Sequence, residues 1–254
     1  MVRGFESFKN WFQGYEEQYA IIGGTACSIL MEAQDMDFRA TKDIDLVLIL
    51  EAMTADFGAR FWEYIVEGKY QHCNKSTGEP QFYRFSQPQS GDFPTMIELF
   101  SRKTDRINLP EDAVLTPLPI DEDISSLSAI LLDDAYYEFL RNGKIVIDGV
   151  TVLGSEYLIP FKAKAWLDLS DRKSKGEQVD SKNIRKHKND VFRLTELLSS
   201  NLQISAPDAV IDDIKSFTDR MRAENIDLKQ LGIVGRSKQD ILDELSTIYI
   251  SFEK

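Results

Sequence analysis

Hydrophobic positions along the first fifty residues change period twice. From residue 5 to residue 20 they recur at helical spacing, with Phe5, Phe8, Trp11 and Phe12 on one stripe, and this predicts an aromatic core helix. Tyr19 to Ile22 then forms a short apolar run stopped by Gly23-Gly24, and Thr25 to Ala33 regains helical apolar density. Asp43 to Leu50 reads as a second buried strand. Gln81 to Phe85 and Thr95 to Ser101 read as a hairpin around Gln87 to Pro94, with helical patterns at Ala55 to Glu67 and Ile124 to Ala129. The acidic, proline-bearing stretch from Pro110 to Asp123 marks a lobe boundary or a long surface loop. Beyond it Lys144 to Leu153 predicts a hairpin turned by Asp148-Gly149, and helices are expected near 156–170, 181–200, 207–223 and 237–250. The expected fold class is α/β in the α+β sense: a small mixed sheet with flanking helices over residues 1–120, then a mainly helical domain over 121–254 that completes the active-site cleft.

Composition narrows the setting. A 43% hydrophobic content suits a folded globular chain of 254 residues. Cys27 and Cys73 have no framework or zinc-site spacing, no apolar run reaches the length of a membrane helix, and no export segment opens the chain, so a cytoplasmic location and no membrane partner are expected. The formal charge of −12 argues against broad non-specific binding of nucleic acid. Lys182, Arg185, Lys186, Lys188 and Arg193, with His187 among them, form a local basic segment that is either a solvated helix face or a phosphate-binding one.

Candidate chemistry gathers at the acids. Asp43 and Asp45 stand two apart on a predicted strand, so their carboxylates leave one face while Ile44 leaves the other. Like charges that close favour a hard divalent cation between them, Mg²⁺ or Mn²⁺. Glu98 interrupts the apolar run Met96, Ile97, Leu99 and Phe100; it is either a solvated-face residue or the third acid of a two-metal clamp. Gly23-Gly24-Thr25 lies where a strand enters a helix, and the free N–H groups of a helix start attract phosphate.

Together, Ile21-Ile22-Gly23-Gly24-Thr25-Ala26 and Arg39-Ala40-Thr41-Lys42-Asp43-Ile44-Asp45-Leu46 resemble the signature of the nucleotidyltransferase superfamily, and within it the AbiEii-type nucleotidyltransferase toxins of abortive-infection and toxin–antitoxin systems. The resemblance implies a minimal polymerase-β-like fold, a nucleoside triphosphate at Gly23, Gly24 and Thr25, and magnesium on Asp43, Asp45 and a later acid, here Glu98. The gap between Thr25 and Asp43 is longer than usual, with Gln34 to Phe38 as the insertion. Pro160-Phe161-Lys162-Ala163-Lys164-Ala165-Trp166-Leu167 and Lys186-His187-Lys188-Asn189-Asp190-Val191-Phe192-Arg193-Leu194 resemble two later motifs of the same family.

Helical geometry separates the two lysines of the first. Lys162 lies four residues from both Leu158 and Trp166 and shares their inward stripe, while Lys164 points about 200° away. Lys162 is therefore the candidate for the triphosphate. Asp190 shares a stripe with His187, Leu194 and Leu197; it orients Lys162, acts as a base, or pairs with Lys186 on its own helix. The expected function is Mg²⁺-dependent transfer of a nucleoside monophosphate to an acceptor, with Asp43, Asp45, Glu98, Lys162 and Asp190 as catalytic residues. RNA, such as a tRNA end, and a cognate antitoxin protein are the partners the resemblance implies. A cationic small molecule of the aminoglycoside kind is the alternative acceptor, and a non-catalytic nucleotide-binding protein of the same fold is the third reading.

Overall fold

The computed structural model describes residues 2–72, 82–103, 115–117 and 128–251. The chain divides into two compact units, Met1–Tyr137 with Lys144–Leu153, and Glu138–Gly143 with Gly154–Lys254.

The first unit is built on a mixed sheet. Its elements are α1 (Phe5–Trp11), β1 (Tyr19–Ile22), α2 (Gly23–Glu32), β2 (Asp43–Leu48), α3 (Ala55–Glu67), β3 (Arg84–Ser86), β4 (Met96–Ser101), β5 (Leu115–Pro117) and β6 (Ser128–Leu131). After α4 (Asp134–Asn142) come β7 (Lys144–Ile147) and β8 (Val150–Leu153). Among the described residues the sheet has eight strands in the order β5-β6-β4-β2-β1-β8-β7, with β3 also paired to β4. Its centre is mixed: β2 runs antiparallel to β1 and parallel to β4. All four residues of β1 are buried, as a strand flanked on both sides requires.

The aromatic helix is shorter than its rhythm predicts. It ends at Trp11, and the chain passes Gly14 at φ +89° before a 3₁₀ turn over Glu16–Gln18 feeds β1. Phe5, Phe8 and Phe12 are buried as expected, but Trp11 is only half-buried, because it lies off the axis of the stripe they define. Its indole N–H donates to the Arg60 carbonyl at 3.1 Å, and the Arg60 guanidinium lies 4.2 Å from its ring centre, so α1 and α3 are clasped at their edge.

The helix expected over Ile124 to Ala129 is corrected in part. Ser128 and Ala129 begin β6, which lies parallel to β4 and antiparallel to β5, so sheet pairing overrides local preference; residues 124–127 lie outside the described residues. Of the stretch from Pro110 to Asp123, Leu115–Pro117 is strand β5, and the rest is likewise outside them. Gln81, at the start of the expected hairpin, also lies outside, while Arg84–Ser86 pairs antiparallel with β4 as the pattern predicts. The β7–β8 hairpin turns at Asp148-Gly149, both at positive φ. Its second strand is buried throughout and joins the sheet parallel to β1 through Ile21 and Val152.

The second unit is mainly helical: α5 (Ser155–Ser174), α6 (Ser181–Leu194), α7 (Asp208–Ala223) and α8 (Lys238–Ile248). Trp166 of α5 meets Phe217 of α7 edge to face, with ring centres 5.4 Å apart. Asp180 caps α6, and Ser237 with Asp240 forms a capping box on α8. A small parallel ladder, β9 (Ile204–Ala206) with β10 (Tyr249–Ser251), ties the end of the described chain to the start of α7. This architecture, a mixed sheet with flanking helices followed by a mainly helical carboxyl half, is the α+β class the sequence predicts.

Candidate functional site

In the first unit the site grows from the junction of β1 and α2. Ile22 pairs with Asp45 across the β1–β2 ladder, which places the Asp45 side chain beside the next residue, Gly23. Gly23 adopts φ +70°, and a Cβ there would lie 1.8 Å from Asp45 Oδ2. Only glycine therefore fits, for its backbone conformation and for its missing side chain alike. Over the same first turn, a Cβ on Gly24 would meet Thr41 Cγ2 at 3.0 Å and the Arg39 Nη2 at 3.2 Å. Arg39 thus holds its guanidinium against the start of α2, where the N–H dipoles of a helix already favour an anion. No side chain caps this helix start.

Thr25 is fully buried, and its hydroxyl donates to the Asp43 carbonyl at 2.6 Å. The side chain of Thr25 therefore fixes the turn of α2 onto the start of β2, and what this turn offers a ligand is backbone. Cys27 is buried, with its thiol donating to the Gly23 carbonyl at 3.2 Å, which braces the same turn.

The acids stand on one face of the sheet. Asp43 and Asp45 are half-exposed while Ile44 and Leu46 between and beyond them are buried. In β4 the half-exposed positions are Met96, Glu98 and Phe100, and Ile97 and Leu99 are buried. The parallel register sets Asp43 opposite Met96 and Asp45 opposite Glu98, so the three carboxylates share the accessible face. Glu98 also faces Arg84 across the β3–β4 ladder, and Arg84 Nε donates to Glu98 Oε1 at 2.6 Å. The row across the strands therefore runs Asp45, Glu98, Arg84. Among the described residues no three His, Cys, Asp or Glu side chains are gathered into a ready-made cage for a metal ion. Mg²⁺ does not demand one, since it is commonly held by one or two carboxylates together with substrate phosphates and water. Asp43 and Asp45, adjacent and accessible, fit that donor set.

In the second unit the two family-like motifs meet. Lys162 of α5 and Asp190 of α6 are buried, at 3% and 1% exposure, and Lys162 Nζ lies 3.1 Å from Asp190 Oδ2. An ionic pair this deep is tolerated because each charge neutralises the other at hydrogen-bonding distance. Lys164 points elsewhere, to Asp213 of α7 at 3.2 Å, as the helical rotation predicts. Of the roles the sequence leaves open for Asp190, the contact with Lys162 is present. Lys188, in the basic segment, binds Glu224 and the Asn225 carbonyl, each at 2.9 Å.

Two contributors were not named from the sequence as site residues. Arg39 falls inside the motif stretch, and its basic character between the glycine turn and Asp43 is the signal that could have marked it. Arg84 carries no such signal, since only the strand register brings it to Glu98.

No helix among the described residues is long and apolar enough to cross a membrane. Neither a protein-family model nor a curated protein sequence matches the chain. Among solved structures the chain is similar to the crystal structure of the Megavirus polyadenylate synthase, with a TM-score of 0.38 and 11% sequence identity over 87% of this chain. The chain spans 36% of the length of that viral protein.

Proposed function

We propose that the chain transfers a nucleoside monophosphate from a nucleoside triphosphate to an acceptor, using Mg²⁺ or Mn²⁺. The observation that carries the reading is the seating of Asp45, with its carboxylate against Gly23 at the start of α2 and its backbone opposite Glu98. Phosphate-attracting N–H groups and cation-attracting carboxylates are thereby brought side by side. A divalent ion bound there would supply Lewis-acid stabilisation of the charge that develops on the phosphoryl oxygens.

The chain's own groups do the positioning. Gly23 and Gly24 let the triphosphate approach the backbone of α2, and the positive charge of Arg39 beside that turn favours its oxygens. Asp43 and Asp45 would hold the metal–nucleotide beside the turn. Glu98 would join them if Arg84, exposed at the end of its row, released it. In the second unit Asp190 orients the Lys162 ammonium.

RNA, a tRNA end among its forms, is the acceptor assigned to this reading, and a toxin with a cognate antitoxin is its biological setting; both rest on the motif resemblance alone. A second reading, nucleotide binding without transfer, is favoured by one observation, the Arg84–Glu98 pair that occupies the third acid.

The test is incubation of the protein with each of four α-labelled nucleoside triphosphates, Mg²⁺, and either total RNA or a panel of cationic small molecules. Transfer to RNA that disappears in Asp43→Ala/Asp45→Ala is expected. Label on the small molecules alone would move the acceptor to that class. Metal-dependent nucleotide binding with no label transferred would favour the second reading.

A further inference from the structure

A cavity of about 570 Å³ lies in the second unit along α5 and α6. Its volume falls in the ~300–1,000 Å³ range of small-ligand sites. Each helix lines it with one stripe at the same spacing, i, i+4, i+7: Trp166, Ser170 and Lys173 from α5, and Ser181, Arg185 and Lys188 from α6. Three cations therefore converge against one carboxylate, Glu224. In a chain of formal charge −12 this is a local inversion of sign.

The cations differ in how they are held. Lys188, with its side chain 13% exposed, is fixed by Glu224 and the Asn225 carbonyl. Lys173 donates to the Ser181 hydroxyl at 2.6 Å. Arg185, which is exposed, and Ser170, which is half-buried, form no hydrogen bond or ion pair with another described residue, so their donors can turn to a ligand in the cavity at the cost only of displacing water. Trp166, 4% exposed, closes one wall with apolar surface. Arg, Lys and Ser donors arriving from two helices suit an oxyanion, and three cations against one carboxylate favour a multiply charged one such as phosphate over a single carboxylate.

We propose that this cavity is a phosphate-binding site, with Arg185 and Lys173 as its principal cations and the hydroxyl of Ser170 completing the donor set. The phosphate belongs either to a free polyphosphate or to the backbone of a single-stranded nucleic acid. The site stands on the geometry of the second unit and does not depend on nucleotidyl transfer by the first.

The test uses the full chain in EDTA, so that the acids of the first unit hold no metal–nucleotide. Inorganic pyrophosphate is titrated by calorimetry, and a short 5′-labelled oligoribonucleotide by fluorescence anisotropy at several salt concentrations. The comparison is with Lys173→Gln/Arg185→Gln, whose two positions are exposed; a melting curve superimposable on the parent's establishes that the variant is folded. The single variants Arg185→Gln and Lys173→Gln serve in its place if the double variant melts early. We expect affinity to fall about tenfold or more, as charge-assisted hydrogen bonds to the phosphate are removed. A fall with pyrophosphate alone identifies a small polyphosphate ligand. A fall with the oligoribonucleotide, accompanied by a salt slope shallower by about 0.7 for each phosphate that is no longer neutralised, identifies a nucleic-acid backbone. Equal binding by parent and variants, or no binding of either probe by the parent, overturns the proposal.

Discussion

Each unit pairs acidic with basic side chains of its own, and the two do so in opposite ways. In the sheet, Asp43, Asp45 and Glu98 are half-exposed on a single face, and the arginine that meets Glu98 is itself exposed. In the helical unit, Lys162 and Asp190 are sealed from solvent and lie at hydrogen-bonding distance from each other. The difference lies in the cost of exchanging partners. The Arg84–Glu98 pair, 47% and 14% exposed, keeps its arginine in contact with solvent, so it can trade partners at lower cost than a sealed pair. A buried pair cannot be opened without stranding a charge, at about 3–5 kcal/mol. The sheet face is therefore suited to take up and release ligands, and the helical pair to hold its shape.

The largest expected effect breaks the buried pair. Asp190→Ala leaves the Lys162 ammonium buried and should cost about 3–5 kcal/mol in urea unfolding, whereas Lys162→Met/Asp190→Leu should recover most of that loss. If the single and double variants are equally unstable, the pair is not what sets the stability of this region. Next, Gly23→Ala should destabilise the first unit by about 1–3 kcal/mol, from the left-handed backbone and the displaced Asp45 carboxylate, and should abolish nucleotide transfer. A smaller effect is expected at Arg84→Gln. Stability should change by no more than about 1 kcal/mol, but release of Glu98 should tighten divalent-ion binding; unchanged or weaker ion binding would remove Arg84 from the site's description.

A pH dependence sharpens the same contrast. Burial raises the phenols of Tyr19, Tyr64, Tyr70 and Tyr137 above their ordinary value, with Glu51 adding to the effect at Tyr137. Folded values above the unfolded value of about 10 mean that this contribution to stability is complete below that pH. It is lost as pH rises through the folded values. Alkaline titration followed by tyrosinate absorbance should show these phenols ionising together with unfolding of the sheet unit. Ionisation before any loss of structure would place them in contact with solvent.

The sequence exposed the sheet site better than its partners. Alternation alone puts Asp43 and Asp45 on one side of a strand, and the glycine turn after an apolar run marks the start of α2. Setting Glu98 opposite Asp45 requires the strand order, because β2 and β4 are neighbours in space with α3 and β3 between them in sequence. The divergence of Lys162 and Lys164 followed from 100° per residue. Lys173 lies outside the basic segment of α6, so the cavity it shares with Arg185 becomes visible only when α5 and α6 pack together. Helix α4 was legible, since Tyr136, Tyr137 and Leu140 recur at helical spacing, whereas the β9–β10 ladder pairs segments more than forty residues apart, which no local periodicity records.

The most direct test of the ligand-exchanging sheet face is a Mn²⁺ titration followed by electron paramagnetic resonance, on the parent chain and on Asp43→Asn/Asp45→Asn, with and without nucleoside triphosphate. The parent is expected to bind Mn²⁺, nucleotide to strengthen that binding, and the variant, folded as judged by its melting curve, to lose both. Mn²⁺ bound equally by parent and variant would contradict the assignment of these carboxylates.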